Sequence, residues 1–298
     1  VYLLEGGVAA WERAGYPVYS GVHVPSKAFA EVVEYEAKTP HISADELKAL
    51  IDENADIAIY DTRTYEEYND NSIPGAISVP GVELVYRFAD LMPSADTMVV
   101  VNCGGRTRSI IGAQALINAG VPNKVVSLKN GTQDWHLFGY EVVEGATRRH
   151  PENSLIGLKL ARTAAAAIAD RFDIQTIDAA ELATWRDETD ERNLYVLDVR
   201  TPEEYEAGHL PDTRSAPGGQ LVQETDKYLA AWGGRVVLVD NDGVRATVTA
   251  SWLLQMGWKD TVVLTFDPAV GDLEKGTFVP IALGYDEAVI PSIDVSEA

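Results

Sequence analysis

The chain holds a single cysteine, Cys103, and its neighbours are types that support chemistry. It follows the apolar run Val99-Val100-Val101-Asn102 and opens the loop Gly104-Gly105-Arg106-Thr107-Arg108-Ser109. Residues 110–119 then read as a helix that Gly120 stops. Strand, tight loop and helix in that order put the thiol at the carboxyl edge of a parallel sheet, where open α/β folds bind ligands. Gly104 and Gly105 let the backbone curl so that several N–H groups point inward, and the helix adds the positive end of its dipole. Such a cradle favours an anion at its centre, the nucleophilic thiolate of Cys103 included. Arg106 and Arg108 set two permanent cations beside it, suited to planar or tetrahedral oxyanions. A lone cysteine is ordinarily inert core filler, but this electropositive setting points to catalysis. One cysteine also excludes an internal disulfide and a Cys-rich zinc site.

The elements that must hold this loop are legible around it. Apolar runs at 57–60, 98–101, 125–128, 194–197, 236–239 and 261–264 are too short for helices and too continuous for one-faced strands. Alternating with helical patterns, they predict an α/β fold of parallel sheets flanked by helices. Ser43 with Glu46, Asp178 with Glu181, Thr64 with Glu67 and Thr201 with Glu204 each predict a capping box at a helix start. Pro202 occupies the first helical position of the last.

The chain is an internal repeat. Asp61-Thr62-Arg63 with Glu66-Glu67-Tyr68 recurs 137 residues on as Asp198-Val199-Arg200 with Glu203-Glu204-Tyr205, and the same offset carries Pro74 onto Pro211, Arg108 onto Arg245 and Gly120 onto Gly257. Residues 1–24 match the strand and helix that close the first full copy, with Trp11 in the place of Trp135 and both expected as core anchors. Residues 290–298 read as the opening of a further copy. The division expected is therefore 25–150 as a catalytic unit, 151–172 as a helical linker and 173–289 as an inactive unit, within a longer tandem array. Leu158, Ala161, Ala165, Ile168 and Phe172 fall on one face of the linker helix, which is expected to pack on a neighbouring unit.

A net charge of −22 opposes attachment to nucleic acid or anionic lipid. No apolar run approaches the roughly 18 residues of a membrane span. The chain opens at Val1 with neither a methionine nor a signal-peptide layout, so the native N-terminus with any targeting segment is expected to be missing, and the location expected is cytoplasmic. An anionic substrate would have to be captured by local positive charge against this negative whole.

Cys103 to Arg108 as a six-residue loop, Asp61-Thr62-Arg63, Ile73-Pro74-Gly75-Ala76 and the closing Leu128, Gly131, Trp135 and Gly139-Tyr140 together resemble the rhodanese superfamily. The resemblance covers nearly the whole chain. It implies a thiosulfate sulfurtransferase without a cofactor or metal. A sulfane sulfur would pass from a small anionic donor such as thiosulfate to Cys103 as a persulfide, then to cyanide or a thiol. Gly104, Gly105, Arg106, Thr107 and Arg108 would bind the donor. A phosphatase or arsenate reductase is the alternative enzyme class, but the dual-specificity phosphatases that share this fold place five residues between cysteine and arginine. Here four intervene, and the shorter cradle suits a sulfur atom better than a phosphoryl group. Family members often carry Gly-His before the Ile-Pro-Gly-Ala turn, where this unit has Asn71-Ser72 and the second keeps Gly208-His209, a histidine read as a structural hydrogen-bonder.

In the second unit Asp240 stands where Cys103 stands. A carboxylate carries no persulfide, and Asp240 with Asp242 should repel an anion, so this unit is expected to fold without catalysing and to serve as support or as a surface for a protein partner. A non-catalytic carrier or interaction module is the alternative from another class. Asp240-Asn241-Asp242-Gly243 matches only part of a calcium loop. The five histidines, at 23, 41, 136, 150 and 209, show no metal spacing.

Overall fold

Runs that are apolar on both faces are satisfied only in a sheet covered on both sides, and the chain builds two such sheets. The structure is a computed structural model that describes residues 5–16, 21–269 and 272–280. The first part comprises α1 (Gly7–Arg13), α2 (Val24–Ala37), β1 (His41–Ile42), α3 (Ala44–Asp52), β2 (Ile57–Asp61), α4 (Tyr65–Asp70), β3 (Ile77–Ser78), α5 (Glu83–Leu91), β4 (Met98–Asn102), α6 (Thr107–Asn118), β5 (Val125–Leu128) and α7 (Gly131–Leu137). Helix α8 (Leu155–Phe172) leads into β6 (Gln175–Thr176), α9 (Ala179–Asp187), β7 (Leu194–Asp198), α10 (Pro202–Ala207), β8 (Arg214–Ser215), α11 (Gly218–Gln223), α12 (Thr225–Tyr228), β9 (Arg235–Asp240), α13 (Arg245–Gln255) and β10 (Thr261–Thr265).

Both sheets are parallel and share one topology, β1-β5-β4-β2-β3 in the first and β6-β10-β9-β7-β8 in the second. The strand carrying the candidate chemistry is central in each. Along β4, Val99 and Val101 face a core that spans both units, while Val100 faces a core of the first unit alone. Along β9, Val236 and Leu238 enter the same shared core, and Val237 and Val239 turn to a smaller core on the far side. The expected linker helix lies in this shared layer: Ala161, Ala165 and Ile168 of α8 are buried in it, and the helix packs on both α5 and α13. Its N-terminus is fastened by Asp90, whose carboxylate accepts the Ser154 N–H at 2.9 Å and the Ser154 hydroxyl at 2.7 Å.

Three of the four capping boxes form, at Ser43, Thr64 and Thr201. At the fourth, Asp178 accepts the Glu181 N–H, but Glu181 does not return a bond to the Asp178 backbone. Trp135 is fully buried and donates its indole N–H to Glu141 O at 2.9 Å. Trp11 is not the core anchor expected of it: it is 44% exposed, with Tyr16 packed on its ring. The expected opening of a further copy at 290–298, and the strand expected at the first residues, lie outside the described residues. Among the described residues no helix is long and apolar enough to cross a membrane.

Candidate active site

Cys103 is the first residue beyond β4, and α6 begins four residues after it. The loop between is held from behind by the start of α7. Cys103 O accepts from Thr132 N at 2.9 Å and from the Thr132 hydroxyl at 3.2 Å, and Gly104 O accepts from Gln133 N at 3.2 Å. The loop carbonyls are thereby directed outward. Its N–H groups, from Gly104 to Ser109, donate to no other protein group among the described residues, so with the first turn of α6 they form an unspent set of donors. The Cys103 thiol lies 3.5 Å from Ser109 Oγ, which itself donates to Arg106 O at 2.9 Å.

The glycines act differently from the expectation. Neither Gly104 nor Gly105 has a positive φ; the left-handed residues are Asn130 at 56° and Gly131 at 55°, in the turn behind the loop. A Cβ on Gly131 would sit 2.0 Å from Cys103 O and 3.0 Å from Gly105 N, so this turn presses directly on the loop backbone. Gly6 and Gly7, which stand in the same places of the opening fragment, also have positive φ, 75° and 56°. That recurrence is the sequence signal that marks Gly131.

Below the loop, Asp61 ties the end of β2 to the end of β4. Its carboxylate accepts from Arg63 Nη2 at 2.7 Å and from Asn102 Nδ2 at 2.9 Å. Arg63 also donates to Asn71 Oδ1 at 3.3 Å and to Asn71 O. The second unit repeats this with Asp198, Arg200 and Gly208 O, which explains why Asn71 can replace a glycine: the contact uses the backbone. His209 is the structural hydrogen-bonder expected, buried with its ring on Tyr205 and Nδ1 2.8 Å from Tyr205 O. An open cleft of about 420 Å³ borders the loop, lined by Arg63, Asn71, Gly104, Thr132, Gln133 and His136.

The two loop arginines part company. Arg108 is held by a bidentate pair with Glu67, at 2.6 and 2.7 Å, and donates to Gln220 Oε1 at 3.1 Å. Burial works against its charge, but Glu67 and the neighbouring Cys103 outweigh it and raise its pKa. Burial likewise opposes ionisation of Glu67, which Arg108 nevertheless holds below the usual carboxylate range. Arg106, expected beside the thiol as a donor-binding cation, instead pairs with Glu31 at 2.6 Å and with Glu34, both on α2. Those carboxylates lie more than seventy residues away in the chain, and they spend the charge that the loop sequence alone assigns to the cradle.

The second loop is filled by its own side chains. Asp240 accepts from Gly243 N and Ala246 N, both at 2.9 Å, and Asp242 from Val244 N at 2.7 Å and Arg245 N at 3.1 Å. By the 137-residue offset these four N–H groups correspond to those of Arg106, Thr107, Arg108 and Ser109. Occupancy of these donors thus adds to the repulsion expected of two acidic side chains in the loop. Pro268 stands where Gly131 does, and a proline ring cannot take its left-handed φ.

The rhodanese-like domain model matches residues 43–137 and 178–265, most of each unit. The chain belongs to the rhodanese-like family. A thiosulfate sulfurtransferase from Pseudomonas aeruginosa is similar to this rhodanese-like chain at 53% identity and a TM-score of 0.88, over 92% of this chain and 52% of that one. The HTH-type transcriptional regulator Rv0324 of Mycobacterium tuberculosis is 34% identical over 98 residues, 33% of this chain and 42% of its own. YrkF of Bacillus subtilis is 28% identical over 134 residues, 42% of this chain and 71% of its own. The rhodanese-like chain thus spans about half the length of the first two relatives.

Proposed function

We propose that the chain is a thiosulfate-type sulfurtransferase that works through Cys103. The Cys103 thiolate attacks the outer sulfur of thiosulfate; a new S–S bond forms as the S–S bond of the donor breaks, and sulfite leaves with the bonding pair. A thiophilic acceptor such as cyanide or a thiolate then attacks the outer sulfur of the persulfide. It leaves as thiocyanate or an acceptor persulfide, and the electron pair returns to Cys103. The N–H groups from Gly104 to Ser109 hold the anion and Arg108 supplies the fixed charge. Arg106 contributes its backbone N–H rather than its guanidinium.

The observation that carries this reading is the contrast between the loops. The donors left unspent around Cys103 are those that two carboxylates occupy in the second unit. A cradle whose sister copy is plugged by its own carboxyl oxygens supports an external oxyanion as its ligand. The similar Pseudomonas aeruginosa sulfurtransferase supports thiosulfate as that anion. The second unit serves as support through the shared core. Incubation with thiosulfate should add the mass of one sulfur atom, which cyanide removes, and Cys103→Ser should gain none. Sulfur retained by Cys103→Ser would refute the assignment. With no second thiol in the chain, the modified form should accumulate when acceptor is withheld.

A further inference from the structure

The units meet about a contact that is nearly symmetric in their repeats. Gly81 and Gly219 approach so closely that a Cβ on either would lie 2.3–2.4 Å from the Cα of the other. Across this contact each loop-closing arginine reaches into the opposite unit. Arg108 binds Glu67 of its own unit and Gln220 of the other at 3.1 Å; Arg245 binds Glu204 of its own unit and Glu83 of the other at 3.0 Å. The 137-residue offset carries Glu67 onto Glu204 and Glu83 onto Gln220, so the two contacts are one contact made in both directions.

The geometry is reciprocal and the charge is not. Arg245 is fully buried and shares three carboxylates, those of Glu83, Glu204 and Asp242. Arg108 has one carboxylate, Glu67, and across the interface a neutral amide oxygen. We propose that Gln220, contributed by the unit without a cysteine, is a positioning residue for the anionic sulfur donor: it steers Arg108 onto the active loop through an uncharged acceptor and so adds no second carboxylate to Glu67, which already pairs with the guanidinium. This rests on the reading above that the donor is an anion held by that loop. A glutamate at 220 would make the same hydrogen bond and leave the Arg108 cluster, already balanced by Glu67, net negative beside the loop. Position 83 shows that the fold accommodates a carboxylate there.

Gln220→Glu in the full chain is the test. A new carboxylate on the guanidinium that faces the loop weakens a charge-dependent equilibrium there by roughly one to three powers of ten when close and buried, and the part-buried setting of residue 220, one side chain removed from the loop, puts the effect at the lower end. The thiosulfate KM should rise on the order of tenfold, with kcat changed less than about twofold. Alkylation of Cys103 at pH 8 should slow on the order of tenfold with iodoacetate, an anion, relative to neutral iodoacetamide. Gln220→Leu keeps the bulk but loses the acceptor; it should leave that reagent ratio near wild type and lower kcat several-fold. An unchanged KM and an unchanged reagent ratio in Gln220→Glu, with a wild-type urea midpoint, overturns the proposal. A shifted reagent ratio in a protein that takes no sulfur from thiosulfate upholds the role of Gln220 and refutes the choice of donor.

Discussion

Gly131→Ala perturbs the turn behind the active loop in two ways that can be told apart. Two penalties act there. A φ of +55° costs an alanine about 1–2 kcal/mol relative to glycine. The new methyl would also lie 2.0 Å from Cys103 O, where real contacts stop near 3.0 Å, so loop and turn must separate by about 1 Å. Misplacing a nucleophile by about that distance costs on the order of 100-fold in rate. Gly139→Ala is the matched control: its φ is +78° and nothing lies within 4 Å of the added methyl. Both variants should lose about 1–2 kcal/mol of stability from backbone strain alone, with a further loss only in Gly131→Ala. In a thiosulfate-to-cyanide assay Gly139→Ala should keep kcat within about twofold, while Gly131→Ala should fall on the order of 100-fold. Equal kcat values in the two variants would refute the claim that this turn sets the position of the loop.

Three further outcomes follow from the side chains around the two loops. Arg106→Ala breaks part-exposed pairs with Glu31 and Glu34 and should cost at most about 1 kcal/mol of stability; its thiosulfate KM should stay within about twofold of wild type, and a tenfold rise in steady-state assays would restore Arg106 to donor binding. Burial and the adjacent Asp242 push Asp240 up to about 7, well above its unfolded value, so its contribution to stability is present below about pH 4 and is lost as the pH rises toward 7. Asp240→Asn should flatten that fall in urea midpoints taken from pH 5 to 8, at the cost of one accepted N–H bond at every pH; an unchanged slope would place the charge elsewhere. The double variant Cys103→Ser/Asp240→Cys should fold and transfer no sulfur, because Asp242 still occupies the N–H groups of Val244 and Arg245; robust transfer would show that this occupancy does not matter.

The six long strands were legible because burial on both faces leaves no room for polar residues, and each apolar run maps onto a strand within about a residue. The edge strands β1, β3, β6 and β8 were not. Each is two residues of which at most one is apolar, as in Gln175–Thr176 where neither is, and is defined by pairing rather than composition. Cys103 and its loop could be found because backbone donors belong to any sequence of that shape. The partners of the arginines could not, since Glu31, Glu34 and Gln220 are brought in by tertiary packing from distant elements. Glu67 was visible as a cap yet serves twice, closing the start of α4 and clamping Arg108 with the same carboxylate. Gly104 and Gly105 drew the reading that belonged to Gly131, because adjacency to the cysteine is apparent in a sequence and a turn pressing from another element is not.

The core common to both sheets makes the pair, rather than the single repeat, the thermodynamic unit. In a solenoid each repeat contributes its own stability and a modest term from its neighbour, and copies can be trimmed one at a time. Here Leu84, Val85, Leu221, Val222 and Trp252 from both halves close one apolar layer, and dividing the halves would turn that layer into solvent-facing surface. The two halves should therefore melt in one transition, and a cavity cut into the half without a cysteine should be felt as lost sulfur transfer in the other. A copy with no chemistry of its own is retained on this account because its removal would strip the apolar layer on which the active copy rests.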